Sequence, residues 1–321
     1  MLQLHYNLKV VEPVLQFQTE VSGIELRGWD PTNPVAIPPD LLTAIRSSKA
    51  KPLSVAAICF RHCPTLRDLY LAATSRLKGE QTWGRVAGTL AEKFLTELVS
   101  DRFNRKLLKR QRNYIALRRV IERRLKQFAR ARSNDFQRLD RYKVSAADSP
   151  SFFETLLCNV GIHELASQEF DFTFRAKGEL RARPAETDLL PAEHLGLSRK
   201  TTPDFIFPDL KAVGDMKTGY QVEDYHFLTC AGYALAYESQ EKMPIDFGMV
   251  YFFPTHRNAV SFAQVYIFVI DDELRRRFLL RRNAAYTTIL ASDAPPFPDE
   301  TERCSTCKYL RTCQSQGLKV K

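Results

Sequence analysis

Asp204, Asp215 and Lys217 are the side chains of this 321-residue chain best placed to act together. They lie in residues 201–219, Thr-Thr-Pro-Asp-Phe-Ile-Phe-Pro-Asp-Leu-Lys-Ala-Val-Gly-Asp-Met-Lys-Thr-Gly. Phe205, Ile206 and Phe207 form an apolar run, Pro208 and Asp209 supply a turn, and 210–217 can form a returning strand. Strand side chains alternate between faces, so Asp215 and Lys217 share one face while Met216 enters the opposite layer. The hairpin brings Asp204 alongside, and two carboxylates and an ammonium converge at one end of a sheet. Hard oxygen ligands of this kind hold Mg²⁺ or Mn²⁺, and a neighbouring lysine can orient or deprotonate water and counter transition-state charge. The chemistry indicated is metal-assisted phosphodiester hydrolysis. Asp-x-Lys alone is a common tripeptide, and on an exposed strand it is a solvated charge pair. The preceding Pro203-Asp204 and following Thr218-Gly219 set this example apart.

A second group lies at the two ends of the chain. Of seven cysteines, Cys304, Cys307 and Cys313 form a C-x₂-C-x₅-C cluster near the C-terminus. Three thiolates are one short of the four that a tetrahedral zinc or a cubane cluster requires. The N-terminal half offers Cys59-Phe-Arg-His62-Cys63-Pro64. Cys63 is the natural fourth donor, because Pro64 pre-sets a first helical turn behind it. Cys59, one turn earlier, is expected to pack inward, and His62 could instead complete a zinc site. Cys158 and Cys230 sit in apolar surroundings and are expected in the core. His163, His194 and His226 show no partner pattern, and His256, which follows the strand end at Tyr251-Phe-Phe-Pro254, could approach the carboxylates.

The elements that must carry these groups follow from periodicity and charge. Composition is ordinary for a globular protein, at 44% hydrophobic and 26% charged. No apolar run approaches the ~18 residues of a membrane span, and no secretory leader opens the chain, so a cytoplasmic protein without a membrane partner is expected. The net charge of +10 is unevenly distributed: residues 101–142 hold 15 Lys and Arg against 4 Asp and Glu, or +11, leaving −1 elsewhere. Within that stretch Tyr114, Leu117, Ile121, Leu125 and Phe128 recur at helical spacing, which places Arg118, Arg119, Arg123 and Arg124 on the flank and back of an amphipathic helix. Concentrated positive charge on an otherwise balanced chain points to a polyanion, and the partner class is nucleic acid. Trp83, Tyr70 and Tyr220 are candidates for stacking on unpaired bases, with core packing as the alternative for the first two.

A Pro-Asp…Asp-x-Lys core, one N-terminal Cys-Pro and a C-terminal C-x₂-C-x₅-C together resemble the RecB-type exonucleases of the PD-(D/E)xK superfamily that carry a [4Fe–4S] cluster. Among these the chain is most similar to the CRISPR-associated adaptation nucleases, the fourth Cas protein family, in their longer archaeal-type branch. No G-x-x-x-x-G-K-[ST] loop is present, so the helicase-fused relatives fit poorly. The resemblance implies Asp204, Asp215 and the Met216 carbonyl as ligands of Mg²⁺ or Mn²⁺, with Lys217 activating water and Tyr233 positioning the strand. It implies Cys63, Cys304, Cys307 and Cys313 as ligands of a [4Fe–4S] cluster. It further implies a metal-dependent DNA exonuclease that acts on single strands or overhangs in CRISPR spacer-precursor processing, beside integrase proteins. Two positions depart from the family pattern. Gly88 stands where a histidine ligand is expected, and Thr229 stands for the glutamine four residues before Tyr233. Glu92, one turn beyond Gly88, is an alternative ligand or a solvated helix charge. These losses motivate a competing expectation, a catalytically weak DNA-binding subunit of a CRISPR adaptation complex.

The expected architecture is α/β: a mixed sheet flanked by helices, a PD-(D/E)xK restriction-endonuclease-like core, with a basic helical insertion and an iron–sulfur cap. Strands are expected at 169–174, across the 204–217 hairpin, at 248–253 and at 264–270, with helices at 222–240 and 272–291. The domain reading is 1–50 N-terminal extension, 51–100 helical cap with the first cluster cysteine, 101–150 basic insertion, 151–295 nuclease core, and 296–321 C-terminal cluster segment.

Overall fold

The computed structural model of the protein describes residues 36–48, 52–60, 62–74, 83–100, 114–141, 190, 192–199, 201–207, 211–219, 221–254 and 264–319. The expected strand at 169–174, the Pro208-Asp209 turn, Tyr220, Cys158, His163 and His256 lie outside the described residues. So do the N-terminal strand-like pieces and the polar linker at 143–151.

A four-stranded mixed sheet forms the centre, in the order β1-β2-β3-β4. β1 (Phe205–Phe207) runs antiparallel to β2 (Ala212–Gly219), β2 runs parallel to β3 (Phe247–Pro254), and β3 runs antiparallel to β4 (Gln264–Val269). A parallel pair needs a crossover, and an 18-residue helix, Asp224–Glu241, supplies it. The chain is therefore a mixed α/β protein with helices on both faces of the sheet. In chain order the α-helices described are α1 (Pro39–Ser47), α2 (Val55–Cys59), α3 (Arg67–Thr74), α4 (Trp83–Ser100), α5 (Tyr114–Ala131), α6 (Ser133–Arg141), α7 (Asp224–Glu241), α8 (Asp272–Leu290) and α9 (Leu310–Ser315). Among the described residues, no helix is long and apolar enough to cross a membrane.

Strand alternation divides the core into two layers. Ile206, Val213, Val250 and Phe252 pack with Leu228, Ala231, Ala234 and Leu235 of α7, with Val55, Ile58 and Cys59 of α2, and with Phe278 and Leu279 of α8. Met216 turns the other way, into a cluster of Ala87, Leu90, Ala91 and Phe94 from α4 with Ile121, Leu125 and Phe128 from α5. The buried part of the α5 seam is the apolar repeat of the sequence; its Tyr114 and Leu117 side chains lie outside the description. Arg119 and Arg123 are exposed, and Arg118 and Arg124 are half-buried. The basic helix thus packs its apolar stripe with α4, which lies on β2, and turns positive charge outward.

α7 is buried along most of its length, which leaves no room for an amphipathic pattern and removes the period that marks surface helices. Its tightest point is Gly232, where a Cβ would meet Phe278 Cε2 at 2.5 Å and Val55 Cγ1 at 2.7 Å. Its N-terminus is closed by a reciprocal cap between Glu223 and His226. Its far end is held by a fully buried ion pair, Arg275 Nη2 to Glu238 Oε1 at 3.0 Å, with Arg275 also donating to the Ile245 carbonyl at 2.8 Å. Glu238 accepts from the Ile245 amide at 2.8 Å, so the pair fixes the entry of β3 as well. Tyr286 of α8 accepts from the Leu53 amide at 2.9 Å and donates to the Gly196 carbonyl, fastening the segments before the sheet to its helical layer.

Candidate functional site

β1 and β2 pair in the register Phe205↔Gly214, so one step outward sets Asp204 across from Asp215. Asp204 Oδ2 accepts the Met216 amide at 2.6 Å, a bond that extends the hairpin past the last paired residue. Asp215 is 2% exposed, and Lys217 Nζ stands 2.5 Å from its Oδ2. The contact is an ion pair: no donor is aligned with that oxygen as a hydrogen bond among the described residues. Both side chains face the α7 layer, opposite Met216, as the pleat requires.

The electrostatics reflect two carboxylates in a dry place. Burial pushes the Asp204 carboxyl well above the usual carboxylate range, and the neighbouring Asp215 charge raises it further against the pull of Lys217. Burial would lower the Lys217 ammonium, but Asp215 and Asp204 outweigh it and hold the group above its ordinary value. Tyr233 is raised well above its ordinary value by burial and then by the Asp215 and Asp204 charges, so its phenol stays neutral beside them. Burial likewise raises Tyr225, two turns earlier on α7, with Lys217 opposing. Thr229 lies between these tyrosines at a spacing of one turn from each. Its hydroxyl donates to the Tyr225 carbonyl at 2.8 Å and meets the Cys59 thiol. Cys59 is fully buried, and burial pushes it up to about 12. It therefore packs as an inert core residue, as does Cys230, whose thiol points at the Met249 carbonyl.

The Thr229 position is committed to this packing. Gly88 is committed to packing of its own: a Cβ there would meet Thr218 Oγ1 at 2.7 Å, on the face of β2 that carries Met216. α4 approaches β2 closely at this point, on the face opposite Asp215 and Lys217. The Glu92 side chain lies outside the description. Among the histidines, His226 escaped the sequence reading. It is buried, its Nδ1 accepts the Glu223 amide at 3.1 Å, and burial together with Lys217 lowers it to about 4. Its signal was the capping pattern at the start of α7. Trp83 packs against the α4–α5 core, and the Tyr70 hydroxyl donates to the Ser292 carbonyl at 3.3 Å.

The cysteines form a second centre. Cys63, Cys304, Cys307 and Cys313 line one pocket, with His62, Arg67 and Asp68 in its wall. The two chain ends meet through polar ties: His62 Nε2 contacts the Arg303 carbonyl at 2.6 Å, and Thr65 Oγ1 donates to the Pro296 carbonyl at 2.8 Å. Burial pushes the Cys307 thiol up to about 11 against the Tyr309 amide that donates to it. Burial also raises Cys313, opposed by the adjacent Arg67 guanidinium. All four are free thiols. Among the described residues, no three His, Cys, Asp or Glu side chains stand close enough together to hold a metal ion. The donors available are two facing carboxylates at one centre and four thiols around one pocket at the other.

The family model of the CRISPR-associated exonuclease Csa1 matches residues 1–316, nearly the whole chain. The chain belongs to the CRISPR-associated exonuclease Csa1 family. A curated relative, the CRISPR-associated exonuclease Csa1 of Saccharolobus solfataricus, is 34% identical over 119 residues, which cover 37% of this chain and 39% of that protein. The chain thus matches well under half the length of that relative. No solved structure matches. The expected resemblance to a CRISPR-associated exonuclease holds at the level of this family.

Proposed function

We propose that this chain is a divalent-metal-dependent DNA exonuclease acting on single strands or overhangs, with a PD-(D/E)xK-type core. The observation that carries the reading is the pairing of Asp204 with Asp215 across the hairpin register, with Lys217 at 2.5 Å on the same strand face. The donor set suits a hard cation: both side-chain ligands are carboxylates, Asp215 Oδ2 has no aligned donor, and burial together with the Asp215 charge pushes the Asp204 carboxyl well above its ordinary range, a strain that a bound cation would relieve. Asp204 and Asp215, with the Met216 carbonyl, would hold Mg²⁺ or Mn²⁺. Such an ion, when bound, supplies Lewis-acid polarisation of a phosphoryl oxygen and of water. Lys217, kept charged by the carboxylates, orients the attacking water and offsets charge building on the phosphate. Tyr233, neutral and on the α7 face nearby, positions the strand by hydrogen bonding. The positive outer face of α5 holds phosphates, giving a steep salt dependence.

The four thiols around one pocket support the assignment of Cys63, Cys304, Cys307 and Cys313 as ligands of a [4Fe–4S] cluster that staples the two chain ends into a cap. The biological task would be processing of CRISPR spacer precursors together with integrase proteins. Replacing Asp215 or Lys217 by Ala is expected to abolish Mn²⁺-dependent cleavage and leave DNA binding within a few-fold of wild type. Full retained cleavage would overturn the assignment.

One observation favours a second reading, a catalytically weak DNA-binding subunit. Gly88 and Thr229 are sealed by packing against Thr218 and Cys59, so neither position can offer the ligand or the strand contact of the family pattern. Absence of any degradation by wild type in Mn²⁺, with DNA affinity unchanged in Asp204→Ala, would favour it.

A further inference from the structure

Arg67 is a buried cation that the carboxylate chemistry does not use. It opens α3, one turn beyond Cys63, and is 8% exposed. Its anchors all belong to the C-terminal segment. Nη1 donates to the Pro295 carbonyl, Nη2 donates to Gln316 Oε1 at 2.8 Å, and the guanidinium carbon lies 4.2 Å from the Phe297 ring centroid. A guanidinium is planar with its N–H groups in a fixed fork, so holding both Nη atoms fixes the direction of Nε–H as well. That Nε is buried and has no hydrogen-bond partner.

Leaving a buried donor of a charged group unsatisfied is costly, so an acceptor is expected where it points. Arg67 lines the same pocket as the four thiols, and its guanidinium lies against Cys313. Of the carboxylates in the pocket wall, Asp68 is already occupied by the Leu69 and Cys63 amides, and Glu300 is exposed. Sulfur is the acceptor left to it.

We propose that Arg67 is the positioning cation of this pocket: its Nε–H donates to a thiolate or sulfide sulfur of the bound cluster, and its charge offsets the thiolates. The inference rests on the cluster reading given above and goes beyond it, because it names the group that tunes the cluster. Hydrogen bonds to sulfur and nearby positive charge favour the reduced, more anionic state, so Arg67 raises the reduction potential.

The test uses the full-length chain, purified anaerobically with ¹⁵N-arginine, its iron and sulfide content measured, then reduced for pulsed electron paramagnetic resonance and potentiometric titration. Wild type is expected to show arginine ¹⁵N coupling to the reduced cluster. Arg67→Lys, which keeps the charge but lacks Nε–H, should lose the coupling and shift to a more negative potential. Arg67→Met should shift further. If either variant fails to fold, wild-type coupling that persists in Arg303→Lys, the other arginine of the pocket lining, decides the question, and coupling lost there overturns the role of Arg67. A wild-type cluster without arginine coupling overturns the role of Arg67 and leaves the cluster reading standing. Wild type without iron or sulfide overturns both.

Discussion

Replacing Lys217 by Met removes the ion-pair partner of a carboxylate that is 2% exposed and leaves a second carboxylate, Asp204, beside it. Breaking a buried ion pair by deleting one partner costs about 3–5 kcal/mol, because the remaining charge has lost both water and counterion. Two features set the loss at the lower end, about 3 kcal/mol by the same scale. Lys217 keeps 21% of its side-chain surface exposed, and the carboxyl pair can take up a proton to shed charge. At about 2 °C per kcal/mol for a chain of this length, melting should fall by roughly 6 °C in chelator. A cation that binds only the folded state returns about 2.7 kcal/mol at a hundred times its dissociation constant. Thermal melts of wild type and Lys217→Met, with chelator and with Mn²⁺, therefore separate the two sources of stability. The variant should drop without metal and recover most of the loss with it. An unchanged melting temperature in chelator would refute the reasoning, since Asp215 could not then depend on Lys217. Recovery by Mn²⁺ that persists in Lys217→Met/Asp215→Asn would place the ion elsewhere.

Four further outcomes follow from the two centres. Asp204 is held above its ordinary value, so the folded state keeps a proton that the unfolded chain has released. Stability of the metal-free protein should fall as pH rises from the usual carboxylate range through the raised value, and Asp204→Asn should flatten that slope in pH-dependent melts. Mn²⁺ affinity should rise by up to about tenfold per pH unit across the same window, measured by calorimetry. Introducing a glutamine as Thr229→Gln should cost about 1–3 kcal/mol by overpacking against Cys59, read in denaturant unfolding. Cys307→Ser should lose bound iron and release the contact between the chain ends, seen as faster proteolysis after residue 295.

The sheet was legible because its strands are short apolar runs and its hairpin is short: Phe205, Ile206 and Phe207 carry the antiparallel register that sets Asp204 opposite Asp215. The α7 crossover was legible in position through its length and apolar content, although full burial erased its amphipathic period. The basic α5 helix could be read because only one face is buried. Less was visible where function depends on contacts between distant segments. Nothing local marks Thr229 as the partner of Cys59, or Gly88 as the seat of Thr218. Arg67 reads as one arginine among many, and its meaning appears only when Pro295, Phe297 and Gln316 close around it. His226 was passed over as a lone histidine, because a side chain spent on capping leaves no ligand spacing behind.

The central claim is that Asp204, Asp215 and Lys217 form a metal-dependent nuclease centre. It is tested most directly by incubating the full-length protein with Mn²⁺ and end-labelled single-stranded DNA, beside Asp215→Ala and Lys217→Ala. The account predicts progressive shortening from an end by wild type, none in chelator, and none by either variant despite retained DNA binding. Degradation by the variants at the wild-type rate would contradict it.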